Sequence, residues 1–156
     1  MILTTGMQAP DFSLNTETAN TTVQLHALKG KKVVLFFYPK DNTPGCTKEA
    51  CDFRDHFNAF QQAKVEVFGI SKDNANSHTK FKEKYQLPFT LLVDADGAVC
   101  KAYGVLNQKK LFGNTFLGIE RSTFFIDEKG IVQAIWRKVK VSEHVKEVLH
   151  EISTSN

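Results

Sequence analysis

Cys46 closes the run Pro39-Lys40-Asp41-Asn42-Thr43-Pro44-Gly45-Cys46, and Cys51 follows five residues later. The run reads as a loop that hands over to a helix, so Cys46 falls where a helix begins. The first N–H groups of a helix lack internal partners and sum to a partial positive charge, which favours a thiolate and makes a cysteine at such a place nucleophilic. Thr43 precedes a proline and is pushed toward extended backbone, from which its hydroxyl can point at the thiol three residues on. Pro39 and Pro44 stiffen the loop and remove two backbone donors. Gly45 lets the chain pass close to a ligand, and together these residues suit a small pocket with limited water. The competing reading of Cys46 is a buried, inert small hydrophobe, the usual state of a free cysteine. Its Thr, Pro, Gly and Lys neighbours argue against that.

The second cysteine makes the site redox-capable. On a continuous helix a five-residue step turns about 140° and rises about 7.5 Å, so the two side chains point apart. A disulfide wants Cα atoms within roughly 7 Å, and a Cys46–Cys51 bond therefore requires the first turns to unwind. Packing on the inner face of the helix is the other reading of Cys51. A Cys-x-x-Cys oxidoreductase sets its sulfurs one turn apart, unlike this spacing. A zinc site from Cys46, Cys51 and His56 fails because residues at five-residue steps fan around a helix, so no metal is expected and His56 reads as a surface or boundary residue. Cys100 lacks a Thr/Pro/Gly loop and reads as a packing residue. Arg121 stands directly before the apolar run Ser122–Ile126, at a strand mouth where α/β sites gather ligands. Its fixed charge and paired donors suit holding a thiolate and oxygen atoms, with a surface ion pair to Glu49 or Glu120 as the alternative.

The surrounding pattern supplies elements to position these residues. Val33–Tyr38 is a continuous apolar, β-branched and aromatic run, the mark of a strand buried on both faces. Ala50, Phe53, Phe57 and Phe60 recur at helical spacing and predict one helix from about Cys46 to Ala63. A second strand over 65–71 and a second helix over 76–85 make two successive βα units, hence parallel strands. Thr90–Val93 reads as a strand, Ser122–Ile126 and Ile131–Trp136 as a hairpin around Asp127-Glu128-Lys129-Gly130, and Ser142 as the N-cap of a closing helix. Short strands near Phe12–Leu14 and Val23–Leu25 suggest an added N-terminal β-hairpin. The expectation is α/β: a central mixed β-sheet flanked by helices in three layers.

With 156 residues, 42% hydrophobic, and 13 phenylalanines, residues 1–156 are expected to form one domain with a sizeable core and no disulfide staples. Three cysteines, an odd number, favour thiol chemistry in a reducing compartment. The net charge of +3 is too weak to imply nucleic acid, and Lys109-Lys110 and Arg137-Lys138-Val139-Lys140 read as solvated surface. No apolar stretch approaches the roughly 20 residues that cross a bilayer, and Met1–Pro10 lacks secretory-signal character, so a cytoplasmic protein without membrane partners is expected.

The Pro39–Cys46 loop, the Thr47-Lys48-Glu49-Ala50-Cys51 continuation and the Glu120-Arg121-Ser122-Thr123-Phe124 segment together resemble the peroxiredoxins, within them the bacterioferritin comigratory protein (peroxiredoxin Q) subfamily. The likeness runs from Gly6-Met7-Gln8-Ala9-Pro10-Asp11-Phe12 to the closing helix. It implies a thioredoxin-like fold and a peroxidase for hydrogen peroxide and alkyl hydroperoxides, with Cys46 attacking the peroxide and becoming a sulfenic acid. Thr43 and Arg121 would hold the peroxide, assisted by the N–H groups of Gly45 and Cys46, while Pro39 shields the pocket and Glu49 orients Arg121. Cys51 would resolve the sulfenic acid as an intrachain disulfide that thioredoxin reduces, with no metal, haem or other cofactor. The subfamily likeness favours a monomer, a dimer being the alternative. The competing function is a redox sensor or holdase whose unwound helix exposes Phe53 and Phe57. A general thiol–disulfide oxidoreductase is disfavoured by the cysteine spacing and by the absence of a proline after Pro88.

Overall fold

The computed structural model describes residues 2–155. Val33 to Tyr38 alternate across the pleat, and every one of them is buried, which only a central strand permits. They form β3 (Lys32–Phe37), in the middle of a seven-stranded sheet. β4 (Val65–Ser71) lies parallel on one side of it and β8 (Ser122–Ile126) antiparallel on the other. β5 (Thr90–Val93) extends the parallel half, followed by the N-terminal hairpin of β1 (Ser13–Thr16) and β2 (Thr22–Gln24), and β9 (Val132–Trp136) closes the far edge. The strand order is β2-β1-β5-β4-β3-β8-β9.

An apolar cluster lies on each face of this sheet. Val34, Phe36 and Tyr38 point into one, where Phe53 of α1 (Pro44–Asp55), Phe60 of α2 (Phe57–Gln62), Phe81 of α3 (Ala75–Tyr85) and Val148 of α5 (His144–Thr154) meet them. Val33, Leu35 and Phe37 point into the other, with Phe12, Tyr103 and Cys100, the last on the short α4 (Ala98–Ala102). The three expected layers are therefore unequal: among the described residues, four α-helices lie on one side, and one short α-helix with the N-terminal segment on the other.

Three local expectations differ from the structure. The helix foreseen over 46–63 is two, because His56 leaves helical geometry (φ −105°, ψ 10°) and its Nδ1–H donates to the Asp52 carbonyl at 2.9 Å, after which the chain restarts at Phe57. Ser142 does not cap the closing helix; Glu143, in the left-handed region at φ 65°, precedes it directly. A second sheet, the hairpin of β6 (Leu106–Leu111) and β7 (Asn114–Ile119), went unread because Asn107, Gln108, Lys109 and Lys110 mask any alternation.

Candidate active site

The chain leaves β3 at its C-terminal end, and the loop that follows is tied down by buried polar groups. Tyr38 Oη–H donates to Asp41 Oδ1 at 2.6 Å, and Asp41 Oδ2 accepts from Ser77 Oγ at 2.8 Å and from His78 Nδ1 at 2.7 Å. His78 Nε2 donates to the Leu92 carbonyl at 2.9 Å. Both ring nitrogens thus face acceptor oxygens and donate to them; burial opposes the charged imidazole, while the hydrogen bond and charge of Asp41 raise its pKa. Asp41 N–H donates to Asp73 Oδ2 at 2.7 Å. The loop is thus anchored on α3 and on the ends of β4 and β5 before the helix starts. Asp41, Asp73 and His78 lie close enough to hold a metal ion, yet their ligand atoms already serve one another and Tyr38, Ser71 and Ser77.

Pro44 occupies the first turn of α1, where its missing N–H costs nothing, and Cys46 is two residues further in. Cys46 is only 1% exposed and joins the apolar cluster beneath α1, as the inert reading would have it. Its sulfur is nevertheless addressed by charge: Arg121 Nη2 donates to Sγ at 3.3 Å. The same guanidinium donates through Nη1 to Glu49 Oε1 at 2.8 Å. The Phe37↔Ser122 pair is the last of the β3–β8 ladder, so Arg121 leaves the sheet at the end where α1 begins. Gly45 makes room for it, since a Cβ there would sit 3.1 Å from Nη2.

Glu49 is fully buried, and among the described residues its Oε2 has no hydrogen-bond partner. Burial pushes its pKa up to about 7, against the opposing charge and hydrogen bond of Arg121. The Glu49 and Cys46 sides both raise the Arg121 pKa in spite of burial, leaving it firmly cationic. The two readings of Arg121 thus merge, because its ion pair and its thiol contact belong to one guanidinium.

The remaining predicted residues are placed around this centre. Thr43 is the extended residue before α1, as foreseen, but its hydroxyl donates to the Lys40 carbonyl at 2.8 Å and not to the sulfur. Pro39 lines an open groove with Arg121, Asn107, Lys109 and Lys138. Cys51 is half-buried further along α1 and is not brought to Cys46; both are free thiols, and burial raises the Cys51 pKa. Cys100 is fully buried, its thiol pKa pushed up by burial and by Asp94, which fits a packing role. Sequence reasoning missed His144, whose Nε2 shares a 2.8 Å hydrogen bond with Thr123 Oγ1 and whose pKa falls to about 4 through burial and the nearby Arg121 charge. No local pattern marks it, because its partners come from β8.

A buried cysteine at a helix start, under an arginine that an acidic residue holds from behind, can stabilise a thiolate and the negative oxygen that leaves when it attacks an O–O bond. The sheet, flanked by helices, is that of thioredoxin-like thiol peroxidases. The profile of the AhpC/TSA family matches residues 5–135, and the chain belongs to that family. Its relatives place it among the peroxiredoxins of the Bcp, or peroxiredoxin Q, kind. A Bcp protein of Coxiella burnetii is 54% identical over 149 residues, 96% of this chain and 98% of its own. The peroxiredoxin Bcp of Bacillus subtilis is 49% identical, over 97% of this chain and 96% of its own. A structure of the bacterioferritin comigratory protein of Xanthomonas campestris, concerned with alkyl peroxide reduction, superposes with a TM-score of 0.86 at 39% identity, covering 91% of this chain and 90% of that one.

Proposed function

We propose that this peroxiredoxin, acting as one domain over 1–156, reduces hydrogen peroxide and alkyl hydroperoxides through Cys46. The Arg121 bridge between Cys46 Sγ and Glu49 carries the reading. The Cys46 thiolate attacks the distal peroxide oxygen, the O–O bond breaks, and the sulfur becomes a sulfenic acid. The oxygen that leaves takes a proton and departs as water or an alcohol, its negative charge met by Arg121 and the N–H groups of Gly45 and Cys46. Thr43 has its hydroxyl hydrogen on Lys40, so its oxygen is free to accept the peroxide O–H. Pro39 shields the pocket, and Glu49 orients Arg121. The Xanthomonas relative's connection with alkyl peroxide reduction supports the organic half of the substrate range.

Cys51 then attacks the sulfenic sulfur, releasing water and forming an intrachain disulfide, which requires the first turns of α1 to open. A thioredoxin-type dithiol reduces that disulfide, becoming oxidised itself. We place the protein in the cytoplasm as a monomer; no helix among the described residues is long and apolar enough to cross a membrane. Stopped-flow oxidation of wild type and Cys51→Ser by hydrogen peroxide, with mass spectrometry of quenched products, tests the scheme. The expected products are a Cys46–Cys51 disulfide and a Cys46 sulfenic acid respectively. Thiol loss no faster than that of free cysteine removes Cys46 from its role. Stoichiometric oxidation without thioredoxin-driven turnover would favour the redox sensor.

A further inference from the structure

The other buried acids among the described residues are well provided with donors. Asp41 accepts from Tyr38, Ser77 and His78, Asp94 from the N–H groups of Val99 and Cys100, and Glu17 from Lys82 and the Leu91 N–H. Glu49 is buried more completely than any of them, yet only its Oε1 has a donor, Arg121 Nη1, while Oε2 has none. Orienting an arginine needs one carboxylate oxygen. It does not explain a second one left bare in a site closed to water.

The charges of the site supply a reason. Cys46 and Glu49 are three residues apart on α1 and share a face of it, and Arg121 reaches both, with Nη2 on Sγ and Nη1 on Oε1. One guanidinium carries one positive charge. With Cys46 a thiolate and Glu49 a carboxylate together, the buried site would be left net negative, and Oε2 would hold its share of that charge without a donor. Two acids that compete for one cation titrate as a pair, one keeping a proton while the other is ionised. The remaining neighbours do not change the count: Asp52 of the same helix opposes an ionised Glu49, and His144 of α5, near the Arg121 charge, is neutral above about pH 4. A Glu49 pKa raised to about 7 by burial agrees with the carboxyl as the group that keeps the proton.

Oxidation removes one of the two competitors, because a sulfenic acid is neutral where the thiolate was charged. We propose that Glu49 is the proton store of the site, holding a proton while Cys46 is a thiolate and giving it up as the sulfur is oxidised. Thiolate, hydroperoxide and Glu49 carboxylic acid become sulfenic acid, water or alcohol, and Glu49 carboxylate. The S–O bond forms and the O–O bond breaks. The hydrogen of the attacked oxygen stays with it on the sulfur, and the proton that Glu49 loses balances the one that the leaving oxygen gains. Negative charge thus passes from Sγ to the carboxylate under the same guanidinium, and the net charge of the buried site never changes. This rests on the peroxidase reading of Cys46 and gives Glu49 a task beyond holding Arg121 in place.

Infrared difference spectra of the full-length Cys51→Ser variant, which stops at the sulfenic acid, read the carboxyl directly before and after hydrogen peroxide at about pH 6. The expected change is loss of a protonated-carboxyl C=O stretch and gain of a carboxylate stretch, both missing when Glu49→Gln is added. The amide keeps an acceptor for Arg121 and imitates the neutral acid, so the fold is retained. Sulfenic acid found by mass spectrometry without that loss overturns the proposal and leaves the peroxidase reading standing, and the same loss in the double variant also overturns it. The rate with hydrogen peroxide gives a second reading. In Cys51→Ser it should fall about tenfold per pH unit above 7, as the stored proton is lost, and in the double variant it should not. A pH profile shared by the two overturns the proposal, and a Cys46 that is not oxidised at all removes the peroxidase reading and the proposal with it.

Discussion

Arg121 places one Nη on Glu49 and the other on Cys46, a division that a guanidinium makes and an ammonium does not. Arg121→Lys is therefore expected to lower the second-order rate with hydrogen peroxide by about 100-fold or more, read by stopped flow; a loss under threefold would mean the second donor does not matter. Glu49 and His144 shape stability on either side of that arginine with opposite sign. Glu49 titrates near 7 in the fold against 4.5 when unfolded, so the fold keeps a proton that the unfolded chain has released. That stabilisation is complete below pH 4.5 and is lost as pH rises to 7, an amount on the order of 3 kcal/mol. His144 titrates near 4 against 6.5, so the unfolded chain binds a proton first as pH falls, and a similar sum, about 3 kcal/mol, is lost from pH 6.5 down to 4. Between pH 4.5 and 6.5 the two nearly cancel. Urea unfolding at pH 5 and 7 should find stability rising with pH in Glu49→Gln and falling in His144→Asn; the same slope in wild type and both variants would show that neither group is coupled to folding.

At the scale of elements, the loop before α1 and the helix itself have opposite tasks. The loop is locked by the Asp41–His78 pair, both members buried, while α1 must open if Cys51 is to reach Cys46. Asp41→Asn strips the buried imidazolium of its counter-charge and should lower stability by about 3–5 kcal/mol, with a slower peroxide reaction from the slackened loop. Urea unfolding and stopped flow read the two effects, and a stability change under about 1 kcal/mol would mean that His78 is neutral in the fold. The start of α1 was legible in the sequence because Thr-Pro-Gly before a cysteine is local chemistry. The lock was not: Asp41 lies in the very run that drew attention, but its partner is 37 residues away, and nothing in the spacing of α3 marks a histidine that turns inward. Arg121 was legible as a charge at a strand mouth, whereas the choice between Glu49 and Glu120 as its acid needed the antiparallel β3–β8 register to decide it. The helix break at His56 escaped because a side chain capturing one carbonyl leaves the apolar spacing on either side intact.

Across the whole molecule, strands with strong apolar runs were readable to the residue, as in Val65–Ser71 and Thr90–Val93, because their central residues Val67–Ile70 and Leu91–Leu92 form unbroken buried runs that outweigh Glu66 and Thr90 near the strand starts. The β6–β7 hairpin was hidden for the converse reason: its outer half is packed against nothing, so no inward face imprints a period. The two apolar clusters also divide labour in a way that can be measured. Phe53 of α1 stacks on Phe36 of β3 with centroids 4.5 Å apart and rings 17° from parallel, fastening the second half of α1 to the sheet. Tyr103 fills the opposite cluster against Phe37 and Phe124, across the sheet from the cluster that holds Phe53 of α1. Phe53→Ala and Tyr103→Ala remove comparable aromatic burial, and each should lower global stability by about 3–5 kcal/mol. Their effects on opening should differ, since only Phe53 opposes the lifting of α1 from the sheet. Hydrogen exchange at the α1 amides is expected to accelerate beyond the global loss in Phe53→Ala alone, and the Cys46–Cys51 disulfide to close faster there after oxidation. Equal acceleration in Tyr103→Ala would mean that α1 opens only with the whole fold, and that resolution is limited by global stability and not by the helix.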